Sequence, residues 1–204
     1  MPTTMILYTI TGSCSDAVAA LCTHLNLPVE MRERRDHDAA LSAVNPTRTV
    51  PTLVAEDGLV LTETTAILNH LARSFACELL GRNPSKRAQN EELLSFLSTS
   101  VYGAFLLRFR PDRSADDSEA QLAIRAKSED EIAKALDVLE TKVSPEAFAL
   151  GENLTSSDFF MLVMLNWADR IDAALLTARP RLAAHFNTLK AMPFHARAFG
   201  EKAA

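Results

Sequence analysis

The stretch from residue 44 to residue 54 constrains the fold most strongly, because two prolines interrupt an extended run within it. It reads Val44-Asn45-Pro46-Thr47-Arg48-Thr49-Val50-Pro51-Thr52-Leu53-Val54. Pro51 stands where the apolar pattern predicts the first residue of a strand. Because proline has no N–H for a sheet ladder, this position leaves unpaired backbone to which a ligand's own amides can bind.

The segment that follows predicts a binding site for an anionic group. Glu63, Thr64 and Thr65 lie where the strand pattern gives way to a helical one, so we expect them at a helix N-terminus. Free backbone N–H groups and the positive end of the helix dipole bind carboxylates at such a position. The alternative is that these residues only cap the helix.

Composition and charge exclude several classes of protein. With 48% hydrophobic and 23% charged residues over 204 positions, the chain can bury a core. A net charge of −5 argues weakly against nucleic acid as a partner. The sequence carries no signal-peptide pattern and no apolar stretch that approaches a bilayer span. The three cysteines form no CxxC pair, which favours a reducing compartment, and we expect a cytoplasmic protein with no membrane partner.

Two domains are expected, because strand and helix signals alternate only in the first 80 residues. We place an α/β domain at 1–80, a linker at 81–86 and an all-α domain at 87–204. The first domain is predicted to contain four strands and three helices. The strands are Met5–Ile10, Val29–Glu33, Thr52–Ala55 and Leu59–Leu61, and the helices are Ala17–Leu25, Asp36–Val44 and Glu63–Phe75.

The second domain shows helical periodicity only. Its predicted helices include Ser85–Arg110, Ser118–Lys142, Arg181–Ala191 and Pro193–Phe199. Between them, an apolar run over 159–167 follows Thr155-Ser156-Ser157-Asp158, with a hydroxyl at the N-cap and a carboxylate at N3. This arrangement predicts a capping box, which is chiefly a folding device.

Several of these pieces, in this order and spacing, resemble the cytosolic glutathione transferases. They are Leu7-Tyr8, Gly12-Ser13-Cys14-Ser15, Asn45-Pro46, Val50-Pro51-Thr52-Leu53, Leu61-Thr62-Glu63-Thr64, Ala66-Ile67-Leu68, the capping box and Met192-Pro193-Phe194-His195-Ala196. The likeness covers nearly the whole chain, and bacterial beta-class members are the most similar. It implies a thioredoxin-like domain with a four-stranded mixed sheet and three helices, then an all-α helical-bundle domain. It also implies a homodimer and an active site at the domain boundary.

Cys14 is the sharpest chemical candidate. Its neighbours predict a helix that begins with Ser13 as N-cap and Asp16 at N3. A thiol in the first turn gains from the helix dipole, which predicts a lowered pKa, although the charge of Asp16 opposes this. In beta-class transferases a cysteine at the matching position contacts the glutathione sulfur and can form a mixed disulfide with it, so the resemblance gives Cys14 this role. The alternative is a small, inert residue at a helix start.

Tyr8 and Ser13 compete with Cys14 as the group that stabilises the glutathione thiolate, and Ser15 is a further candidate. Other classes of the family use a tyrosine or serine hydroxyl near the end of the first strand, where a donor favours the charged sulfur. Tyr8 alternatively packs as a strand aromatic against the second domain. Thr11 stands where the family commonly has a proline.

For glutathione itself, the resemblance assigns Val50 to backbone pairing with the cysteinyl part, beside a cis-Pro51. Glu63 is then expected to pair with the α-ammonium of the γ-glutamyl end. Thr64, which replaces the more usual serine, is expected to bind the α-carboxylate through its hydroxyl and its N–H.

The remaining charged residues give weaker signals. Arg35, or its neighbour Arg34, is a candidate for the glycyl carboxylate, and a solvated basic cluster is the alternative. The five histidines are scattered without close ligand spacing. We therefore expect no metal site.

An electrophile site is expected on the helix 85–110, where Tyr102, Phe105 and Leu106 share a face at helical spacing. Core packing is the alternative for such a stripe. Beta-class relatives have a histidine followed by a lysine near this point, and this chain has Tyr102-Gly103 instead.

Together these features predict a glutathione transferase that binds glutathione, stabilises its thiolate and directs it onto a small apolar electrophile. Positioning and sulfur activation would supply the rate without a metal. One alternative is a glutathione-dependent thiol-disulfide reductase or peroxidase that uses Cys14. Another is a non-catalytic transferase-like binding or regulatory protein.

Overall fold

The structure is a computed structural model that describes residues 4–199 of the chain. The outer ends of the two predicted domains, 1–3 and 200–204, lie outside this range. None of the helices in the described range is long and apolar enough to cross a membrane.

A four-stranded mixed sheet forms the centre of the N-terminal part. Strands β1 (Met5–Thr9), β2 (Val29–Glu33), β3 (Thr52–Val54) and β4 (Val60–Thr62) lie in the order β2-β1-β3-β4. The first two strands are parallel, and β3 runs antiparallel to both β1 and β4. The predicted α/β fold and its four strands are therefore confirmed.

Three α-helices accompany this sheet, as predicted: α1 (Ser15–His24), α2 (Arg34–Val44) and α3 (Thr64–Phe75). The second begins two residues earlier than predicted and is kinked at His37. A 3₁₀ turn that no sequence signal predicted, Cys77–Leu80, follows α3.

The connection to the helical part is shorter than the predicted linker. Helix α4 begins at Pro84, so 84–86 are helical, and the Asn83 side chain accepts a hydrogen bond from the N–H of Lys86. Proline is favoured here because the first helical N–H has no partner within the helix. Gly81 has a φ of +113°, and a Cβ at this position would lie 2.6 Å from the carbonyl carbon of Lys86. This turn therefore requires glycine.

Seven α-helices make up the rest of the described chain, which confirms the helical second domain. They are α4 (Pro84–Phe96), α5 (Tyr102–Phe109), α6 (Ser118–Lys142), α7 (Ser156–Ile171), α8 (Ala174–Thr177), α9 (Pro180–Lys190) and α10 (Pro193–Phe199). A 3₁₀ turn, Pro111–Arg113, follows α5.

The prediction of one regular helix over 85–110 is wrong. Leu97–Val101 forms a π-helical segment between α4 and α5. Such a segment accommodates an extra residue in the helix. The face on which Tyr102, Phe105 and Leu106 lie therefore cannot be continued from α4 by regular α-helical spacing.

Helix α7 joins the two parts of the molecule. Most of its side chains are buried, and it packs against α1, α3 and α4. Helix α10 also packs on α1. One contiguous hydrophobic core, rather than two separate ones, extends from the sheet to the helices.

The predicted capping box at the start of α7 is confirmed and is fully buried. The N–H and Oγ1 of Thr155 donate to Oδ2 of Asp158 at 2.7 and 2.8 Å, and the N–H of Ala149 donates to Oδ1 at 2.8 Å. Asn90 on α4 extends the network, since it donates to Ser156 Oγ and accepts from the N–H of Ser157. Burial raises the pKa of Asp158.

Asp158→Ala should lower the free energy of unfolding by about 3 kcal/mol, because it leaves several buried donors without an acceptor. Urea unfolding followed by circular dichroism measures the change. Asp130→Ala, on the exposed face of α6, is the matched control and should change stability little. An equal effect of the two substitutions would contradict a structural role for the capping box.

Candidate active site

The turn between β1 and α1 is closed by its own hydroxyl and carboxylate groups. Ser15 Oγ donates to the carbonyl of Ile10 and accepts from its N–H, both at 3.1 Å. Ser13 Oγ lies 2.8 Å from Ser15 Oγ. The N–H of Gly12 donates to Oδ2 of Asp16 at 2.8 Å.

This geometry corrects the predicted helix start. Helix α1 begins at Ser15 with Cys14 at the N-cap, rather than with Ser13 as N-cap. Asp16 therefore lies at N2 and binds back to Gly12 instead of occupying N3. The Cys14 side chain remains at the opening of the helix, where it is partly buried.

The pKa of the Cys14 thiol is raised, which makes the expectation of a lowered pKa wrong. Burial contributes most, the charges of Asp16 and Glu63 add to it, and a backbone hydrogen bond only partly opposes them, so the pKa reaches about 12. The helix-start effect is smaller than the desolvation of the thiolate. Cys14 is consequently a neutral thiol at neutral pH.

A cavity of about 560 Å³ opens beside Cys14, between the β1–α1 turn and helices α5 and α7. Its lining is mostly apolar, with two arginines. The lining residues are Ile10, Gly12, Ser13, Cys14, Val50, Tyr102, Leu106, Phe109, Arg110, Trp167, Arg170 and Ile171. A cleft of this size and character, at the boundary of two structural units, is suited to a small organic ligand.

Trp167 forms the floor of this cavity. Its Nε1–H donates to the carbonyl of Gly12 at 2.9 Å, which ties α7 to the β1–α1 turn. Its ring packs on Phe109 with centroids 5.1 Å apart and on Tyr102 at 6.2 Å. The sequence-based prediction missed Trp167 and Phe109, although the spacing of Phe109 from Tyr102 and Leu106 places it on the same helix face.

Two of the predicted electrophile residues line the cavity, and the third does not. Tyr102 and Leu106 face it, whereas Phe105 is fully buried against Trp167 and Phe109. Within residues 4–199 the Tyr102 hydroxyl has no hydrogen-bond partner. Burial is the main cause that raises the pKa of Tyr102, and the Cys14 thiolate adds to it in the alkaline range where that thiolate forms.

Tyr8, predicted as a possible activating group, does not line this cavity. It is buried on β1, and its hydroxyl accepts a hydrogen bond from Arg32 on the neighbouring strand at 3.5 Å. Arg32 is in turn paired with Glu30 at 2.8 Å.

The loop before β3 brings Val50 to the cavity. The Val50-Pro51 peptide bond is cis, and Pro51 directly precedes the strand. Asn45 is buried and holds the loop, because its Nδ2 donates to Thr52 Oγ1 at 2.9 Å and to the carbonyl of Thr49 at 3.2 Å. The polar residues between the two prolines therefore fix the loop.

Glu63 and Thr64 begin α3 close to this loop. Glu63 is exposed with a φ of 69°, a left-handed conformation that is unusual for a residue other than glycine. Thr64 is buried. Neither residue lines the cavity, but the charge of Glu63 acts on the pKa of both Cys14 and Tyr102.

Neither arginine of α2 lines the cavity. Arg35 is exposed and lies 3.5 Å from Asp36, and Arg34 pairs with Asp38. Asp38 is also bound by Arg48. Among residues 4–199 no group of three or more histidine, cysteine or acidic side chains is arranged to bind a metal.

The fold and the cavity define a two-part protein, with a thioredoxin-like N-terminal domain that carries a cysteine at a helix start and a helical domain that closes the site. Family models for the N-terminal and the C-terminal domain of glutathione S-transferases match residues 7–82 and 100–193. The chain therefore belongs to the cytosolic glutathione S-transferase family.

Individual relatives agree with this assignment. The chain is 31% identical over 140 residues to the glutathione S-transferase GstA of Escherichia coli O157:H7, covering 68% of this chain and 66% of that protein. It is 32% identical over 145 residues to the uncharacterized GST-like protein YncG of E. coli K12, covering 65% of each. The matches thus span about two thirds of the length of these relatives.

Solved structures match over nearly the full length. A glutathione transferase homologue from Sulfitobacter with bound glutathione has a TM-score of 0.87 at 26% identity, covering 97% of both chains. The beta-class glutathione S-transferase of Sphingomonas chungbukensis has a TM-score of 0.80 at 25% identity, covering 95% of this chain and 96% of that one.

Alkylation at about pH 8 should modify the exposed Cys77 first and leave Cys14 largely unreacted, because only the thiolate reacts and the raised pKa of Cys14 keeps it protonated. Labelling of a Cys77→Ser variant with iodoacetamide, followed by mass spectrometry, isolates Cys14. Cys22 is buried with a pKa also raised to about 12 and serves as the internal control. The rate of Cys14 alkylation should increase steadily as the pH rises toward 12. Fast labelling at neutral pH would contradict the neutral thiol and indicate a reactive thiolate.

Proposed function

We propose that this chain is a glutathione transferase that conjugates glutathione to small apolar electrophiles. One shared cavity carries the proposal. It is lined by Cys14, Ser13 and Val50 of the first part and by Tyr102 and Leu106 of the second. The first three are the residues for which the family resemblance implies contact with glutathione. The other two supply an apolar surface for a second substrate.

Glutathione would bind along the loop before β3. Its cysteinyl amide pairs with the backbone of Val50, and its γ-glutamyl end reaches Glu63 and Thr64 at the start of α3. Free N–H groups and the helix dipole there favour a carboxylate. The exposure of Arg35 and its ion pair with Asp36 give little support to a contact with the glycyl carboxylate.

Cys14 would act as a hydrogen-bond donor to the glutathione sulfur rather than as a nucleophile. Because its pKa is raised to about 12, its thiol keeps a proton at neutral pH and can offer it to a bound thiolate. Tyr102 adds a second donor from the opposite wall. Ser13 is less available, since its hydroxyl is already engaged with Ser15. Tyr8 is outside the cavity.

The raised pKa also separates conjugation from thiol-disulfide exchange. A reductase that uses Cys14 needs its thiolate to attack a disulfide, and the neutral thiol disfavours this step. Conjugation needs only the glutathione thiolate beside a bound electrophile, where proximity supplies much of the rate.

The biological setting belongs to the same proposal. We infer a cytoplasmic homodimer, with the glutathione-binding domain at 1–80 and the helical domain, which begins with α4 at Pro84, contributing the electrophile site. Membership of the cytosolic glutathione S-transferase family supports this setting.

Glutathione binding by calorimetry, combined with conjugation of a neutral aryl halide, tests the proposal. The wild type should bind glutathione and turn over. Cys14→Ala should keep binding but lower kcat at neutral pH by about two- to tenfold, since one hydrogen bond to the thiolate is lost. The deficit should shrink as the pH rises, because solvent then ionises the glutathione thiol. Cys14→Ser, which retains a donor, is the matched control.

Two results would contradict this proposal. Absence of binding at millimolar glutathione would leave a transferase fold without glutathione chemistry. Disulfide reduction that Cys14→Ala abolishes, with conjugation unchanged, would establish the exchange mechanism instead.

A further inference from the structure

The charges around the cavity are distributed unevenly, and this bears on the second substrate if the proposed transferase function holds. None of the twelve lining residues is an acid, whereas two are arginines, in a chain whose net charge is −5. The acids that act on the site, Asp16 and Glu63, belong to the first part of the chain and raise the Cys14 pKa. The arginines both belong to the helical part.

Arg170 is the less neutralised of the two arginines. It lies in the last turn of α7, and its Nη1 is 4.0 Å from the position that a Cβ would take at Gly12, at the mouth of the cavity. Asp16 lines a smaller cleft together with Arg170, and among residues 4–199 no ion pair holds Arg170. Arg110, by contrast, is bound by Asp112, with Nη2 and Oδ2 2.7 Å apart.

The aromatic floor and Arg170 therefore form one composite surface. Trp167 precedes Arg170 by three residues, so the indole and the guanidinium lie on the same face of α7. A planar ring that packs on Trp167 and Phe109 brings a substituent at its edge toward Arg170. A carboxylate there gains charge-assisted hydrogen bonds from Arg170.

We propose that the second substrate is an aromatic electrophile that carries an anionic group, with its ring on Trp167 and its anion bound by Arg170. For an activated aryl chloride, the glutathione sulfur forms a C–S bond to the ring carbon. Chloride then leaves with the electrons of the broken C–Cl bond, and the proton of the glutathione thiol is released to solvent. The anionic group takes no part in bond making and serves to orient the ring.

The first test compares 4-chloro-3-nitrobenzoate with its methyl ester at saturating glutathione. Arg170→Gln should lower kcat/KM for the acid by about fivefold, the size expected for an ion pair that is open to solvent, and leave the ester unchanged. Arg110→Gln should have a smaller effect, because Asp112 already offsets that charge. Raising the salt concentration should reduce the advantage of the acid in the wild type.

Arg73→Gln is the matched control, since Arg73 is also an exposed arginine in the last turn of a helix. It reproduces the change in net charge and in helix-dipole interaction without altering the cavity, and it should change neither substrate. An equal loss for acid and ester in Arg170→Gln, or a raised KM for glutathione, would overturn the proposal and assign Arg170 to glutathione binding or to the fold.

A second readout does not depend on turnover. Trp167 is the only tryptophan of the chain, so quenching of its fluorescence by 4-nitrobenzoate or by methyl 4-nitrobenzoate reports binding in the cavity. Arg170→Gln should weaken binding of the acid selectively. This result without any conjugation would overturn the transferase function and retain the anion site. Conjugation of the ester, together with acid binding that does not depend on Arg170, would retain the transferase function and overturn the anion site.

Discussion

The hydrogen bond from the indole N–H of Trp167 to the carbonyl of Gly12 is the contact on which the site depends. Trp167 is largely buried, so its N–H needs an acceptor, and the β1–α1 turn supplies it. The same indole packs on Phe109 and Tyr102. One side chain therefore sets both the turn that carries Cys14 and the apolar wall opposite it, and the separation between them follows.

Around this contact the two parts of the chain contribute side chains of opposite charge. The first part brings Asp16 and Glu63 near Cys14, and burial together with their charges raises the pKa of its thiol. The second part brings Arg110 and Arg170 into the same cavity, with Arg170 beside Gly12 of the β1–α1 turn. A neutral thiol and two cationic groups therefore face the same cavity from different elements.

Features that depend on local sequence were predictable. The strand and helix order, the cis bond at Pro51 implied by the family resemblance, and the capping box at Asp158 all appear in the structure.

The features that could not be predicted from the sequence depend on tertiary placement. Desolvation of Cys14 affects its pKa more than the helix start does. The burial that causes this desolvation cannot be predicted from the neighbouring residues. Tyr8 faces Arg32. Its side of the sheet was not predictable, since side chains on a strand alternate between two faces and the local sequence does not select one. Trp167 lies about 150 residues from the turn it binds, beyond any local pattern.

The π-helical segment Leu97–Val101 determines which side chains of α5 line the cavity. Each residue in an α-helix turns the chain by about 100°, so one residue more or fewer in this segment would present a different face of the helix to the cavity. An insertion there would move Phe105, now in the core, into the place that Leu106 holds in the cavity, and would move Leu106 on to the next position of the helix. The shape of the cavity wall therefore depends on the length of this helical segment as well as on its composition. Insertion or deletion of one residue at 97–101 would change several lining side chains of α5 at once, whereas a point substitution in the cavity wall changes one.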